Sequence, residues 1–101
     1  MAPLIQNNIE LIQHVLQKHK VKRAFVFGSV CTDNFDDNSD IDIIIAFQKR
    51  YFDDYIDNYL SLESELSKLL RRNIDILTEE TIQNPYFIQK INQTKTPIYE
   101  S

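Results

Sequence analysis

The sequence predicts an α/β fold, a small mixed β-sheet with flanking helices, on three observations. Short β-branched and aromatic runs of strand length occur at 22–27, 40–47 and 73–77. Helical periodicities precede the first run and separate the second from the third. Connection lengths then select directions. The helix between the second and third strands is long enough to carry the chain back, so those strands run parallel through a right-handed crossover. The segment 30–39 is short, which lets the first strand run antiparallel to the second.

In chain order, Ile5, Ile9, Ile12 and Leu16 fall at helical spacing among Gln, Asn, Glu and Lys and predict one amphipathic helix over 5–19. Ala24-Phe25-Val26-Phe27 is a buried strand ending at Gly28, the one glycine of the chain. Thr32 to Ser39 is acidic and turn-rich, hence loop. Tyr55, Tyr59, Leu62, Leu66 and Leu69 mark a second helix, widened by Ile56, Leu60 and Leu70. Thr81 to Gln93 reads as a helix broken at Pro85, and Thr96-Pro97-Ile98-Tyr99 as an edge strand, where proline is tolerated.

The chemistry sits at the strand ends. A Gly-Ser pair, Gly28-Ser29, lets the backbone turn sharply and bring amide groups to an anion, the more so if a helical turn follows. Ten residues later, Asp40 and Asp42 stand at i and i+2 and share one face of a strand. Two carboxylates about 4 Å apart repel by roughly 4 kcal/mol at an effective dielectric near 20. Mg²⁺ would relieve that, since it takes hard oxygen ligands and pairs one or two carboxylates with substrate phosphates. Asp75 interrupts the third apolar strand, and the parallel crossover puts it at the same end as Asp40 and Asp42. Taken singly, each feature has a plainer reading: a solvated strand start, an ordinary turn, and for Asp75 a helix cap or a sheet-edge surface position.

Gly28, Ser29, Asp40 and Asp42 form a G-S-x10-D-x-D pattern, with Ser39-Asp40-Ile41-Asp42 running into aliphatics and a third acid in Asn73-Ile74-Asp75-Ile76-Leu77. In these residues the chain resembles the nucleotidyltransferase superfamily typified by DNA polymerase β, and within it the minimal nucleotidyltransferases, from about residue 20 to the last strand. The resemblance implies the nucleotidyltransferase fold and a Mg²⁺-dependent transfer of a nucleoside monophosphate, AMP from ATP or the equivalent from another NTP, to an acceptor hydroxyl. It implies metal binding and catalysis by Asp40, Asp42 and Asp75, with Gly28 and Ser29 on the β and γ phosphates. It also implies a partner, because such proteins occur as antitoxins that neutralise a helical HEPN-domain ribonuclease by adenylylating a tyrosine. Many relatives follow Gly-Ser with a small residue, a basic residue and a second glycine. Here Val30-Cys31-Thr32-Asp33 stands instead, so Thr32 brings no positive charge and Asp33 adds a negative one. That difference keeps open a second reading, a weakly active or inactive module that neutralises its partner by association. A stand-alone antibiotic-modifying transferase fits less well, since such enzymes usually carry an additional helical domain.

Bulk properties narrow the field. At 101 residues one domain, 1–101, is expected, with no room for a separate acceptor-recognition domain. A formal net charge of −4 disfavours general nucleic-acid binding, which rests on neutralising phosphates. No apolar stretch is long enough to span a bilayer and the N-terminus lacks the pattern of a signal peptide. The single cysteine, Cys31, has no intramolecular partner and suits a reducing compartment, so the cytoplasm is the expected location.

The remaining polar and aromatic residues read as structure. Lys18, Lys20, Lys22 and Arg23 precede the first strand, opposite the acids, and are expected as solvated surface. Arg71 and Arg72 lie at the acid end, either on a phosphate or complementing a helix dipole, the second being preferred. His14 and His19 lack partners at zinc-ligand spacing. Tyr51, Tyr55 and Tyr59 are expected to pack rather than to stack on bases.

Overall fold

The computed structural model describes residues 2–32, 35–36, 38–49 and 52–101. Asp33, whose charge bears on phosphate binding, and Tyr51 of the tyrosine series lie outside them. The elements run α1 (Pro3–Asn7), α2 (Ile9–Lys18), β1 (Val21–Phe27), a 3-10 turn (Gly28–Cys31), β2 (Ile41–Phe47), α3 (Tyr55–Leu70), β3 (Ile74–Thr78), a second 3-10 turn (Glu79–Thr81), α4 (Pro85–Thr94) and β4 (Thr96–Glu100). The strands form a mixed four-stranded sheet in the order β3-β2-β1-β4. β1 is antiparallel to both β2 and β4, while β2 and β3 are parallel. The α/β class and the three predicted strand directions are those the sequence implies.

Alternation along the strands divides the sheet into two faces. Ala24, Val26, Ile41, Ile43, Ile45, Ile74, Ile76 and Ile98 join Ile5, Ile12, Leu16, Leu62, Leu66 and Leu70 in the main core, beneath α1, α2 and α3. The opposite face holds a smaller cluster, Phe27, Ile44 and Ile91, with Phe25, Leu77 and Ile82 packed against it from β1, β3 and the approach to α4.

Two helices differ from expectation. The 5–19 helix is divided at Asn8, whose Nδ2 donates to Leu4 O at 2.8 Å while its backbone leaves helical geometry at φ −118°. The apolar spacing runs through this break because both pieces face the same core. The last helix begins at Pro85 rather than at Thr81. Asn84 caps it, its Oδ1 accepting from Tyr86 N at 2.9 Å and Phe87 N at 3.3 Å, and Pro85 sits where its missing N–H does no harm.

Of the basic residues opposite the acids, Lys18, Lys20 and Lys22 are exposed as expected, and Arg23 is the more engaged. The Arg23 guanidinium forks onto the Glu79 carboxylate, Nη2 to Oε2 at 2.6 Å, and Lys18 pairs with Glu65 at 2.7 Å. His19 is buried, its ring nitrogens on Val15 O and Ser61 Oγ. The tyrosine rings pack: Tyr55 meets Phe47 and Phe52 at 5.3 Å, and the Tyr59 hydroxyl donates to Ile76 O on edge strand β3.

Candidate active site

The site is fixed by strand register. Phe27 lies opposite Asp42 in the β1–β2 pair, and Asp42 lies beside Asp75 in the β2–β3 pair. One row across the sheet therefore reads Phe27, Asp42, Asp75, with the Gly28-Ser29 turn leaving from its β1 end. Both acids share a face with Ile44 and Leu77, two residues further along their strands, which is the face that α4 covers.

Gly28 is required where it stands. Its φ is +76°, a left-handed conformation that side chains disfavour, and an added Cβ would meet Asp42 Oδ2 at 2.7 Å. The absence of a side chain is what lets the turn and the carboxylate share this space. Gly28 N–H donates to Thr94 Oγ1 at 2.9 Å, which fastens the turn to the end of α4. The chain then closes a single 3-10 turn, Thr32 N–H donating back to Ser29 O at 3.0 Å.

The Asp42 carboxyl holds its proton above the usual carboxylate range. Burial is the main cause, followed by the negative charges of Asp75 and Asp40 and a hydrogen bond shared with Asp75. Asp40 and Asp75 are exposed whereas Asp42 is half-buried. Among the described residues no group of three or more His, Cys, Asp and Glu side chains is close enough to hold a metal ion. The structure thus brings Asp42 and Asp75 together, with Asp40 near enough to be felt electrostatically but not closing a ligand cage. The donor chemistry nevertheless suits a hard divalent cation: carboxylate oxygens only, with mutual repulsion that a cation would relieve.

Two hollows flank the acid pair. One, of about 440 Å³, is lined by Gly28, Ser29, Asp42, Phe87, Lys90 and Thr94 among others. The other, of about 610 Å³, is lined by Asp40, Asp75, Ser64, Ser67, Lys68 and Asn73 among others. All five residues expected at the site thus border these hollows, Gly28, Ser29 and Asp42 on one side and Asp40 and Asp75 on the other.

Three residues contribute that the sequence alone did not single out in these roles. Arg72 ties down the loop ahead of β2, Nη1 donating to Asp36 O at 2.7 Å and Ser39 O at 3.1 Å, with its guanidinium 4.8 Å from the Phe35 ring. It acts there on backbone carbonyls that precede Asp40, a contact beyond the two uses expected for it. Thr94 and Lys90 come from α4. Their signal is the spacing 87, 90, 91, 94, which places Phe87, Lys90, Ile91 and Thr94 on one helical stripe.

A family model for "Polymerase beta, Nucleotidyltransferase" matches residues 10–101. A "Putative protein adenylyltransferase" of Methanocaldococcus jannaschii is 32% identical over 90 residues, covering 81% of this chain and 89% of the relative. Among solved structures, a "putative minimal nucleotidyltransferase" superposes with a TM-score of 0.75 at 24% identity, covering 92% of this chain and 91% of the other. The tri-AMPylated HEPN toxin in complex with MNT antitoxin of Shewanella oneidensis includes a chain that matches with a TM-score of 0.67 at 17% identity, covering 95% of this chain and 72% of that one. These two structures share the fold, and the residues matched by the family model include Gly28, Asp42 and Asp75. The chain belongs to the polymerase beta nucleotidyltransferase family.

Proposed function

We propose that this protein is a Mg²⁺-dependent adenylyltransferase that moves AMP from ATP to a hydroxyl of a partner protein, and that it serves as the antitoxin of a HEPN-type toxin in the cytoplasm. The observation that carries this reading is the row Phe27, Asp42, Asp75 with the Gly28 turn at its end, which sets the Gly28-Ser29 turn beside paired carboxylates. The family generally works with a divalent metal, and the relatives named above supply the adenylyl and toxin context. No helix among the described residues is long and apolar enough to cross a membrane.

In this reading Asp42 and Asp75 would hold the metal, with Asp40 moving in to join them, and the metal would supply charge that offsets the triphosphate and lowers the pKa of the acceptor hydroxyl. Gly28 leaves room for the β and γ phosphates beside Asp42, and Ser29 offers its hydroxyl to them. Asp75, on the far side of the pair, faces the acceptor and draws its proton as the new oxygen–phosphorus bond forms at the α-phosphate. The bond from that phosphorus to the bridging oxygen breaks and pyrophosphate leaves.

A second reading, neutralisation by association, draws on one feature: Val30, Cys31 and Thr32 give the turn after Ser29 no cation. Incubation with the neighbour-encoded partner, Mg²⁺ and ATP separates the two. The partner's intact mass should rise by one or more AMP units, and Asp42→Asn should abolish the rise. A stable complex with no mass change, from wild-type protein that binds ATP, would leave only association.

A further inference from the structure

A triphosphate seated at Gly28-Ser29 would lie against Asp42, which shares that hollow and stands beside Asp75 in the sheet. Binding there needs a cation from the protein as well as from the metal, and the turn itself offers none: Ser29, Val30, Cys31 and Thr32 are all uncharged. The hollow that Gly28, Ser29 and Asp42 share is lined on its far wall by α4, and among the described residues the one basic side chain lining it is Lys90. Two ion pairs join described residues, Lys18–Glu65 and Arg23–Glu79, and Lys90 belongs to neither. The neighbouring α4 residue Thr94 is hydrogen-bonded to Gly28 N–H at 2.9 Å, so the helix that carries Lys90 is tethered to the turn it faces. Phe87, one turn before Ile91, packs edge-on against Phe27 with centroids 6.2 Å apart and holds the same stripe against the sheet.

We propose that Lys90 is the phosphate-binding cation of this site, contacting the β or γ phosphate of the nucleotide from α4. The lysine ammonium is a flexible point charge, suited to a terminal phosphate that shifts as pyrophosphate departs. Lys95 provides the internal contrast. It lies on the same side of the sheet but 5.0 Å over the Phe25 ring, and it borders a different hollow, with Ile44, Glu79 and Ile82. Removing either lysine changes the net charge equally, yet only Lys90 faces Ser29 and Asp42.

This inference rests on the adenylyltransferase reading, and calorimetric titration with Mg²⁺ present tests the two separately. ATP and AMP would be titrated into wild type, Lys90→Gln, Lys90→Arg and Lys95→Gln at low and high salt. Loss of a charge-assisted contact should weaken ATP binding by Lys90→Gln about tenfold or more. AMP binding should stay unchanged, and the salt dependence of ATP binding should flatten. Lys90→Arg should restore most of the affinity, and Lys95→Gln should match wild type. Equal ATP affinity in Lys90→Gln and Lys95→Gln would overturn the assignment while leaving the nucleotide site intact. Parallel loss of ATP and AMP in Lys90→Gln would likewise overturn it, because a phosphate contact discriminates between them. No ATP binding by wild type would overturn both readings.

Discussion

On one face of the sheet, α2 and α3 exclude water completely from Ile12, Leu16, Leu62 and Leu66; on the other, α4 buries Ile91 but leaves Tyr86 80% and Phe87 39% exposed. The first face is mostly aliphatic, with Phe47 at one end, and is continuous across all four strands. The second is short, mixing Phe25 and Phe27 with Ile44, Leu77, Ile82 and Ile91, and it gives way to Asp42 and Asp75 at the end where Gly28 turns. Stability scales with apolar area removed from water, so it is concentrated on the first face. The second keeps a partly solvated carboxylate pair whose charges repel, and needs the rigidity of the first to hold them in register. Chemistry and stability are thus assigned to opposite sides of the same strands.

The largest expected effect breaks the first face. Leu66→Ala, at a fully buried position, should cost about 2–5 kcal/mol of unfolding free energy. ATP affinity of the molecules that remain folded should be unchanged. Phe87→Ala on the second face removes a ring already 39% exposed and should cost about 1 kcal/mol, yet weaken ATP binding. Denaturant melts paired with calorimetry check both. If the two variants lose stability and affinity in the same proportion, the division between faces is wrong.

Next in size is Gly28→Ala, which couples the faces. Forcing a Cβ into a backbone at φ +76° should cost about 1–2 kcal/mol. The same methyl group would stand 2.7 Å from Asp42 Oδ2, so the carboxylate must move and ATP binding should fall further than stability explains. A variant that melts lower but binds ATP normally would show that the turn shapes the fold and not the site.

What the sequence makes legible divides along similar lines. The strand directions and the juxtaposition of Asp75 with Asp42 are readable because side-chain alternation and connection length are properties of short segments. The stop at Asn8 is hidden because Ile5, Ile9, Ile12 and Leu16 keep one spacing through it. Arg23 reads as surface because its partner, Glu79, is brought in only when β3 completes the sheet. Lys90 and Thr94 share a legible stripe with Phe87 and Ile91, but α4 also has an apolar residue at 88, and which stripe faces the turn is decided by the path from β3 to β4. Arg72 sits at a helix end, where a dipole contact is expected, but its reach to Asp36 and Ser39 depends on where the preceding loop lies.

The smallest expected effect runs opposite to the others and bears on the acid pair itself. Folding raises the pKa of Asp42, through burial first and then the charges of Asp75 and Asp40. Below the unfolded value of about 3.9, both states carry the proton and the group is neutral in the stability balance. As pH rises above that value the unfolded chain releases its proton first, so the folded state is penalised progressively and bears the full penalty above the folded pKa. In EDTA at neutral pH, Asp42→Asn should therefore be slightly more stable than wild type, by roughly 0.5–1 kcal/mol, since the partly solvated side chain screens much of the repulsion. That advantage should shrink as pH is lowered toward the unfolded value. Adding Mg²⁺ and a non-hydrolysable ATP analogue should reverse the order, because ligand binding to the folded state stabilises only the protein that can hold the metal. Thermal melts of both proteins across pH, with and without ligand, measure all three consequences. Equal stability in EDTA at every pH, with equal gain from Mg²⁺ and nucleotide, would mean that Asp42 and Asp75 meet across the sheet without forming a site.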